Sequence, residues 1–305
     1  MSEKVTVGIP TYNRKEYLRQ CLDSVAGQDY GNLEIVVSDN HSTDGTDRMM
    51  QEYIAAHPMV DIKYFRMEKN QGHIPNWDNC HKQATGEYLM ILSDDDVLEP
   101  GAIARMAETF EPGVVQVIGD VVYIDGDGIE TSRKTNPHGK YDSRDFWDSR
   151  LNKDLHDTPS AVMYRHNQGD VAFEKGKPAG SAMDVATSLI LSEQGIIKCI
   201  DFYVVRYRVH DGNDSKNYYR CAFSHVGFYQ LFKSRGVSSD KLAWLQRYCQ
   251  NTIEGYANMA RVQHKYRLML RILCLLDKRL DLNLVKAWQH TATRFIRIKL
   301  QKLIR

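Results

Sequence analysis

The amino-acid sequence predicts an α/β protein with a mixed, mainly parallel sheet flanked by helices, followed by a helical C-terminal region. Within the first hundred residues, short apolar runs alternate four times with helical patterns, as expected of β-α-β units. After about residue 217, glycines become rare and apolar residues recur at intervals of three and four, which indicates helices. These observations predict a first domain over residues 1–215 and a helical region over residues 216–305.

The predicted strands are short apolar runs rich in β-branched residues. In the first hundred residues they occupy positions 5–9, 33–37, 62–65 and 90–92. Residues 114–124 are again strand-like, and the Asp-Gly turn that follows predicts a hairpin, so the sheet gains antiparallel members. Further strands are predicted at 159–164, 196–200 and 203–209, a surface loop running into a short helix at 131–150, and a helix beginning at Asp184.

Polar residues follow each of the first four predicted strands: Thr11, Asp39, Asn70 and Asp94–Asp96. Ligands of open α/β sheets bind just past the carboxyl ends of the strands, so these residues predict a nucleotide-binding crevice. A turn or a helix cap is the safer interpretation of Asn70 taken by itself. Neither G-x-G-x-x-G nor G-x-x-x-x-G-K-[ST] occurs, so neither a dinucleotide fingerprint nor a P-loop is indicated.

The acidic triplet Asp94–Asp96 is a candidate metal site. Three adjacent carboxylates repel one another, and a divalent cation such as Mg²⁺ or Mn²⁺ offsets this repulsion by taking carboxylate oxygens as ligands. The alternative interpretation is a solvated acidic turn before Pro100 and Gly101. The sequence pattern alone leaves both interpretations open.

The composition predicts an ordinary globular protein of the cytoplasm. Of its 305 residues, 42% are hydrophobic and 26% are charged, and the net charge of +1 gives no indication of nucleic-acid binding. Six scattered cysteines without C-x-x-C spacing are typical of a reduced protein. No apolar stretch approaches the roughly 18 residues needed to span a bilayer.

The segment 294–305 is basic and amphipathic. It carries five basic residues and no acid, with aromatic and aliphatic residues between them. Such a helix can lie on an anionic membrane surface, which predicts peripheral contact with the cytoplasmic face of a membrane. Packing of its apolar face on the protein itself is an equally good interpretation.

Four motifs together resemble the family 2 glycosyltransferases with the GT-A fold, over roughly residues 3–215. They are residues 7–14 (VGIPTYNR), residues 36–46 (VVSDNHSTDGT), the turn at 70–72 (NQG) and residues 84–96, which lead into the acidic triplet. Their order and spacing make the resemblance specific. It implies an enzyme that transfers a sugar, most often from a UDP-sugar, to a hydroxyl of a glycan or lipid-linked glycan, with inversion.

The resemblance also implies roles for individual residues. Asp95 is expected to be the principal ligand of Mn²⁺ or Mg²⁺, with Asp96 assisting, and Asp184 is expected to be the catalytic base. Arg208 and His210 are expected to approach the diphosphate. The residues expected to bind the donor nucleotide are Pro10, Thr11, Tyr12, Arg14, Asp39, Asn70, Gly72 and Asp94.

Two departures from the family pattern keep alternatives open. Many relatives carry an arginine shortly after the Asn-x-Gly turn, where this chain has Asn76 and Trp77, and relatives commonly have a second acid before the base, where Ala182 and Met183 precede Asp184. The chain could therefore be a non-catalytic binding or scaffold subunit of a polysaccharide assembly complex. A nucleotidyltransferase is a third interpretation, but its Gly-rich basic loop after the first strand is absent.

Overall fold

The computed structural model of the protein describes residues 2–152, 154–166, 177–210, 217–263 and 265–273. The described residues fall into two compact units. The first contains the described residues up to 166 together with residues 184–210, and the second contains residues 177–183 and the described residues from 217 onward. A domain boundary between residues 215 and 216 stays a prediction.

Alternating apolar runs and helical patterns form the elements of the first unit. Its described strands are β1 (Val5–Thr11), β2 (Leu33–Asp39), β3 (Asp61–Arg66), β4 (Tyr88–Ile91), β5 (Val97–Leu98), β6 (Val114–Ile124), β7 (Glu130–Lys134), β8 (Gly139–Tyr141), β9 (Val162–Arg165) and β10 (Ile196–Arg208). Its described helices are α1 (Lys15–Ala26), α2 (Thr46–Ala56), α3 (His73–Gln83), α4 (Ala102–Ala107), α5 (Ser143–Leu151) and α6 (Met183–Ser192). A 3₁₀ helix, Pro159–Ala161, precedes β9.

These strands form one mixed sheet in the order β3-β2-β1-β4-β9-β6-β10-β5, with β7 paired to β6 and β8 paired to β10. The neighbours among β1 to β4 are parallel, as are β6 and β10. The remaining pairs are antiparallel, including the predicted hairpin of β6 and β7. The longest ladders are parallel. The predicted fold class is therefore confirmed.

Both faces of the parallel half of the sheet are covered, which explains why β1 is buried along its whole length. On one face α1 buries the apolar stripe predicted from its spacing, Leu18, Cys21, Leu22 and Val25. On the other face α3 packs so closely that a Cβ on Gly8 would lie 2.9 Å from Cβ of Cys80. This layering leaves the carboxyl ends of the parallel strands as one open edge.

Three stretches differ from the sequence prediction. The strand expected at 159–164 begins only at Val162, after the 3₁₀ helix Pro159–Ala161. Residues 196–209 were expected to form two strands, but β10 is a single strand that stays paired to β6 through register shifts around Cys199 and Tyr203. The stretch 131–150 contains β7 and β8 as well as the predicted short helix. The residues of β7 and β8 are mostly exposed, so no hydrophobic alternation marks them in the sequence.

The second unit is helical, as predicted for the C-terminal region. It contains α7 (Tyr218–Ser234), α8 (Ser239–Val262), α9 (Tyr266–Leu273) and the 3₁₀ segment Lys177–Ala182. Aromatic rings connect α7 to α8, with Tyr248 lying 5.8 Å from His225 and 6.2 Å from Phe228 between ring centroids. None of the helices among the described residues is long and apolar enough to cross a membrane. The basic segment 294–305 lies outside the described residues.

A buried carboxylate ties the amino end of β2 to its neighbours. Glu34 is fully buried and accepts hydrogen bonds from Lys4, Lys63, the Thr6 hydroxyl and both the backbone N–H and hydroxyl of Thr85. Burial alone would raise the pKa of Glu34, but the hydrogen bonds from Lys63, Thr6 and Thr85 lower it to about 2. This network therefore stabilises the fold wherever Glu34 is ionised.

We expect Glu34→Gln to lower the free energy of unfolding by about 3 kcal/mol at pH 7, because the hydrogen bonds that lower the pKa of the buried Glu34 carboxylate depend on its charge. The native pKa of Glu34 lies below its unfolded value of about 4.3, so the stabilisation is fully present above that pH and is lost as the pH falls toward 2. Urea denaturation of both proteins at pH 7 and at pH 3 measures this, and the difference should shrink at pH 3.

The matched control for this prediction is Glu52→Gln. Glu52 is exposed and pairs with Arg48 one helical turn away, so its loss should change the free energy of unfolding by less than about 0.5 kcal/mol. A Glu34→Gln protein as stable as the wild type at pH 7 would contradict the assigned role of Glu34.

Candidate functional site

The carboxyl ends of β1 and β4 bring two of the predicted residues into contact. The parallel register of these strands pairs Gly8 with Ile91. Three residues after Gly8 lies Thr11, the last residue of β1, and three residues after Ile91 lies Asp94, just beyond β4. The Thr11 hydroxyl donates a 2.7 Å hydrogen bond to Oδ2 of Asp94. Both side chains are buried. Parallel pairing thus explains why residues far apart in the chain share one edge.

Asp39, one of the residues predicted to bind the donor nucleotide, lies at the end of β2 and is fully buried. Its Oδ1 accepts a 2.8 Å hydrogen bond from the backbone N–H of Ser42, and its Oδ2 accepts a 2.6 Å hydrogen bond from the hydroxyl of Tyr64. These bonds fix the carboxylate at the same edge as Thr11. Its contact with the nucleobase of the donor stays a prediction.

The turn at Asn70 and Gly72 joins this edge through Asn40. The Asn40 side-chain amide donates 3.1 Å hydrogen bonds to Oδ1 of Asn70 and to the carbonyl oxygen of Gly72. Gly72 has a φ of 90°, in the region that favours glycine. Pro10 is buried within β1, whereas Tyr12, just beyond the strand, is 42% exposed. An aromatic ring is therefore accessible to a ligand at this edge.

Arg14 and His210 converge on the acidic triplet. Nη1 of Arg14 lies 3.1 Å from Oδ1 of Asp94 and 2.6 Å from Oδ2 of Asp95. Nε2 of His210 lies 2.9 Å from the same Asp95 oxygen. The fold thus brings together predicted residues from the start of α1, the end of β4 and the end of β10. Their roles in binding stay predictions.

Arg208 supports the acidic turn and is only 2% exposed. Its backbone N–H donates to Oδ1 of Asp96, and its Nε donates to the carbonyl oxygen of Asp95, both at 2.8 Å. Its remaining guanidinium nitrogens donate to the carbonyl oxygen of Gly126 and to Oε1 of Gln20. The guanidinium therefore positions the acidic turn, and its predicted contact with a diphosphate stays a prediction.

The acidic turn has the donor chemistry of a divalent-cation site. Burial raises the pKa of Asp94 to about 6 in spite of the opposing charge of Arg14, and burial and the Asp95 charge hold the pKa of Asp96 well above its usual range. Oδ2 of Asp96 is buried and has no hydrogen-bond partner among the described residues. A nearby cation would favour the ionised forms, so these oxygens fit Mn²⁺ or Mg²⁺.

A separate group of acids and a histidine lies elsewhere in the first unit. Asp120, His138 and Asp201 offer ligand atoms that all lie within 4.8 Å of one another, an arrangement that the described residues of the acidic turn do not form. Both oxygens of Asp120 already have partners, the backbone N–H of Asn136 and the ring of His138. We therefore regard this group as a hydrogen-bonded cluster and keep Asp95 and Asp96 as the predicted ligands.

Asp184, the predicted catalytic base, lies in the first turn of α6 and borders a cavity of about 30 Å³. Its Oδ1 is buried and has no hydrogen-bond partner within the described part of the chain. Burial, and after it the charge of Asp157, raises the pKa of Asp184 to about 6. A carboxylate with such a pKa is suited to accept a proton near neutral pH.

Asp157 is a residue that the sequence interpretation missed. The lack of an acid directly before Asp184 led us to expect no acidic neighbour, but Asp157 is 3% exposed and borders the same cavity. It reaches the cavity from the loop between α5 and the 3₁₀ helix. No spacing rule connects it to Asp184, so only the fold reveals the pair.

Tyr207 is a second residue without a predicted role. Burial, followed by the charges of Asp96, Asp95 and Asp184 among others, raises the pKa of Tyr207 well above its ordinary value. Tyr207 on β10 therefore lies within electrostatic range of both the acidic turn and the predicted base. The only signal available in the sequence was its place directly before Arg208, in the segment 207–210 (YRVH), which resembles the closing motif of the family.

Asn76, which follows the Asn-x-Gly turn, has a structural role here. Its Oδ1 accepts a 2.7 Å hydrogen bond from the hydroxyl of Ser38, and its Nδ2 donates a 3.1 Å hydrogen bond to the carbonyl oxygen of Thr11. The side chain is buried and connects the ends of β1 and β2. An arginine contact to a diphosphate is therefore not supplied from this position.

The sequence model of glycosyl transferase family 2 matches residues 6–168, more than half of the chain. The chain belongs to this family. The matched range includes the residues at the ends of β1, β2 and β4, and the turn at Asn70 and Gly72. Asp184, Arg208 and His210 lie beyond it, so their assignment depends on the structure around them.

Curated bacterial glycosyltransferases are similar to parts of this chain. It is 36% identical over 118 residues to the GalNAc(5)-diNAcBac-PP-undecaprenol beta-1,3-glucosyltransferase of Campylobacter jejuni, a match that covers 38% of each protein. It is 41% identical over 98 residues to the abequosyltransferase RfbV of Salmonella typhimurium, covering 32% of this chain and 29% of that protein. The chain thus matches well under half the length of these relatives.

Solved structures of similar fold cover most of this family 2 chain. TarS of S. aureus (residues 1–349) in complex with UDP-GlcNAc superposes with a TM-score of 0.64 at 17% identity, covering 91% of this chain and 83% of that one. The mannosyltransferase of Pyrobaculum calidifontis with GDP-Man and Mn²⁺ has a TM-score of 0.58 at 18% identity, covering 99% and 88%. These similarities confirm the GT-A fold.

Proposed function

We propose that this family 2 protein is an inverting glycosyltransferase that moves a sugar from a nucleotide-diphosphate donor to a hydroxyl of a glycan or lipid-linked glycan. The observation that carries the proposal is the buried acidic turn, Asp94–Asp96, at the carboxyl edge of a GT-A sheet. The raised pKa values of Asp94 and Asp96, and the Asp96 oxygen that has no partner among the described residues, suit a cation and a phosphate-bearing ligand. UDP-sugars are the first donors to test.

The donor would lie along the edge formed by β1, β2 and β4. Pro10, Thr11, Tyr12, Arg14, Asp39, Asn70, Gly72 and Asp94 would bind its nucleoside and ribose. Asp95 and Asp96 would hold Mn²⁺ or Mg²⁺, which when bound stabilises the negative charge on the departing diphosphate. Arg208 keeps the acidic turn in place, and His210, 2.9 Å from Asp95, lies where it can donate to diphosphate oxygens.

Asp184 would act as the general base of a single displacement. The acceptor oxygen bonds to the anomeric carbon while the bond from that carbon to the diphosphate oxygen breaks, and the acceptor proton passes to the Asp184 carboxylate. With one base on the face opposite the leaving group, the configuration inverts, so an α-linked donor gives a β-glycoside.

A lipid-linked glycan is the first acceptor class to test, because the similar Campylobacter jejuni protein is named for an undecaprenol-linked substrate. The basic segment 294–305 would place the protein on the cytoplasmic face of a membrane. We expect removal of these residues to weaken sedimentation with anionic liposomes and to spare transfer to a soluble acceptor. Unchanged liposome binding would count against membrane contact through this segment.

A thermal-unfolding panel with UDP, GDP, dTDP and CMP, each with and without Mn²⁺, tests the proposed function. A ligand present at 100 times its dissociation constant stabilises the native state by about 2.7 kcal/mol, which is readily measured. We expect one nucleotide to raise the midpoint in a Mn²⁺-dependent way. If none of the four does so, the enzyme proposal fails and a non-catalytic binding protein becomes the better interpretation.

A further inference from the structure

We infer that Asp157 is a positioning residue for Asp184: its negative charge beside the shared cavity makes Asp184 a stronger proton acceptor. The inference deepens the proposed function and rests on it, because it assigns Asp157 a part in removing the acceptor proton. The observation behind it is the meeting of two carboxylates, from separate segments of the first unit, at one small cavity.

Three acceptor oxygens on side chains that border the cavity are without a hydrogen-bond partner among the described residues. They are Oε1 of Gln116, Oδ2 of Asp157 and Oδ1 of Asp184, and all three atoms are buried. Gln116 is fully buried and Asp157 is 3% exposed. Burying unpaired acceptors is costly. A proton on Asp184 would add a donor among these acceptors, so the cavity suits the protonated form of this residue.

Asp157 is held in place by its neighbours. Nε of Arg150 forms an ion pair with Oδ1 of Asp157, which leaves Oδ2 at the cavity. The preceding residue, His156, is bonded twice to Asn136, whose Nδ2 donates to the His156 carbonyl oxygen at 3.1 Å and whose Oδ1 accepts from its N–H at 2.8 Å. The Asp157 charge is thus fixed in position before any substrate binds.

Gln116 fixes the helix that carries Asp184. Its Nε2 donates a 2.9 Å hydrogen bond to the hydroxyl of Ser188, one turn further along α6. With the amide nitrogen engaged in this way, the amide oxygen is the group left at the cavity. Asp157 and Gln116 therefore each leave one acceptor oxygen without a partner among the described residues, on side chains that border the same cavity as Asp184.

The chemistry of the step shows what Asp157 contributes. The acceptor O–H bond breaks and its proton bonds to the Asp184 carboxylate, the freed electron pair on oxygen forms the glycosidic bond, and the diphosphate leaves with the electrons of the broken C–O bond. Asp157 takes no proton. Its charge favours the protonated form of Asp184, and so increases the driving force for proton transfer.

Other titratable groups lie around Asp184 on every side. Arg150 from α5 opposes the effect of Asp157 on the pKa of Asp184. His81 from α3 and Tyr164 from β9 border the cavity and are bonded to each other, with the Tyr164 hydroxyl 2.8 Å from Nε2 of His81. Tyr207 from β10 lies within electrostatic range. After burial, the charge of Asp157 is the largest influence that raises the pKa of Asp184.

The pH dependence of transfer by Asp157→Asn tests the inference. The asparagine keeps an oxygen for Arg150 but removes the negative charge. We expect the acid limb of the kcat/KM profile, measured at saturating Mn²⁺, to move to lower pH by about half a unit or more, with a lower plateau. A merely structural role would lower the rate without moving the limb, and an unmoved limb therefore overturns the inference.

A second measurement needs no substrate and separates this inference from the proposed function. Because burial and Asp157 raise the pKa of Asp184 to about 6, the wild type should lose stability as the pH rises through that value. We expect Asp157→Asn to move this loss to lower pH, even if no donor or acceptor is found. An unchanged stability profile overturns the inference whatever the enzyme assays show.

Two further variants complete the design. Asp154→Asn removes an exposed acid three residues before Asp157. We expect it to change neither the pH dependence of kcat/KM nor the pH dependence of stability. Arg150→Gln removes the positive charge while retaining Asp157, and should move both profiles to higher pH. Arg150→Gln keeps the inference testable if Asp157→Asn does not fold. If its two pH profiles do not move to higher pH, that result would count against the inference.

Discussion

The Asp184→Asn protein is expected to bind the nucleotide donor normally and to lose sugar transfer. Positioned general bases contribute about 10²-fold to 10⁴-fold to a rate, and asparagine cannot take the proton of the acceptor hydroxyl. Donor binding should persist because Asp184 is not among the residues proposed to bind the donor nucleotide, which follow β1, β2 and β4. Initial rates and Mn²⁺-dependent thermal shifts with the donor nucleotide measure the two properties separately.

The same variant should be more stable than the wild type at pH 7. The pKa of Asp184 is raised to about 6 from an ordinary value near 4, so its favourable contribution is present at low pH and is lost as the pH rises through 6. At pH 7 the buried charge is a cost of about 3 kcal/mol, which asparagine removes. Retained turnover would rule out Asp184 as the base, and reduced stability at pH 7 would contradict its assigned environment.

The Asp95→Asn protein is expected to lose Mn²⁺-dependent binding of the donor. Oδ2 of Asp95 is shared by Arg14 and His210, and Asp95 is proposed as the principal metal ligand. Even residues that only support metal ligands cost 10-fold to 100-fold in affinity when changed, so we expect at least about 100-fold weaker Mn²⁺ binding. Isothermal titration of Mn²⁺ with and without nucleotide measures this directly.

Asp201→Asn is the matched control for the metal assignment. Asp201 belongs to the other group of potential ligands, with Asp120 and His138, and its side chain is 87% exposed. We expect this variant to bind Mn²⁺ and donor nucleotide like the wild type. The reverse result, with Asp201→Asn impaired and Asp95→Asn normal, would move the metal to that group and end the assignment of Asp95 and Asp96.

Much of the site could be predicted because its residues follow strands of one parallel sheet. Thr11, Asp39 and Asp94 each come near the end of an apolar run, and parallel pairing places such ends at a common edge. Their meeting, including the bond between Thr11 and Asp94, therefore follows from chain order and strand direction. Local patterns of this kind can be predicted from a single sequence because each depends on a few adjacent residues.

Other features depended on packing between distant segments. The guanidinium of Arg208 has protein acceptors on Asp95, Gly126 and Gln20, an arrangement that the closing motif did not indicate. The exposed strands β7 and β8 have no hydrophobic alternation, so they were interpreted as a loop. The register shifts that let β10 continue as a single strand are a property of its pairing with β6.

By itself, the sequence determined the α/β fold class, the order of the main elements and the set of polar residues at one sheet edge, because periodicity and strand-end motifs are local. Only the tertiary structure decided that Asp157 lies beside Asp184, and that Gln116 leaves an unpaired oxygen at the same cavity. The physical reason is that burial, charge proximity and an unsatisfied hydrogen bond arise where separate segments pack together.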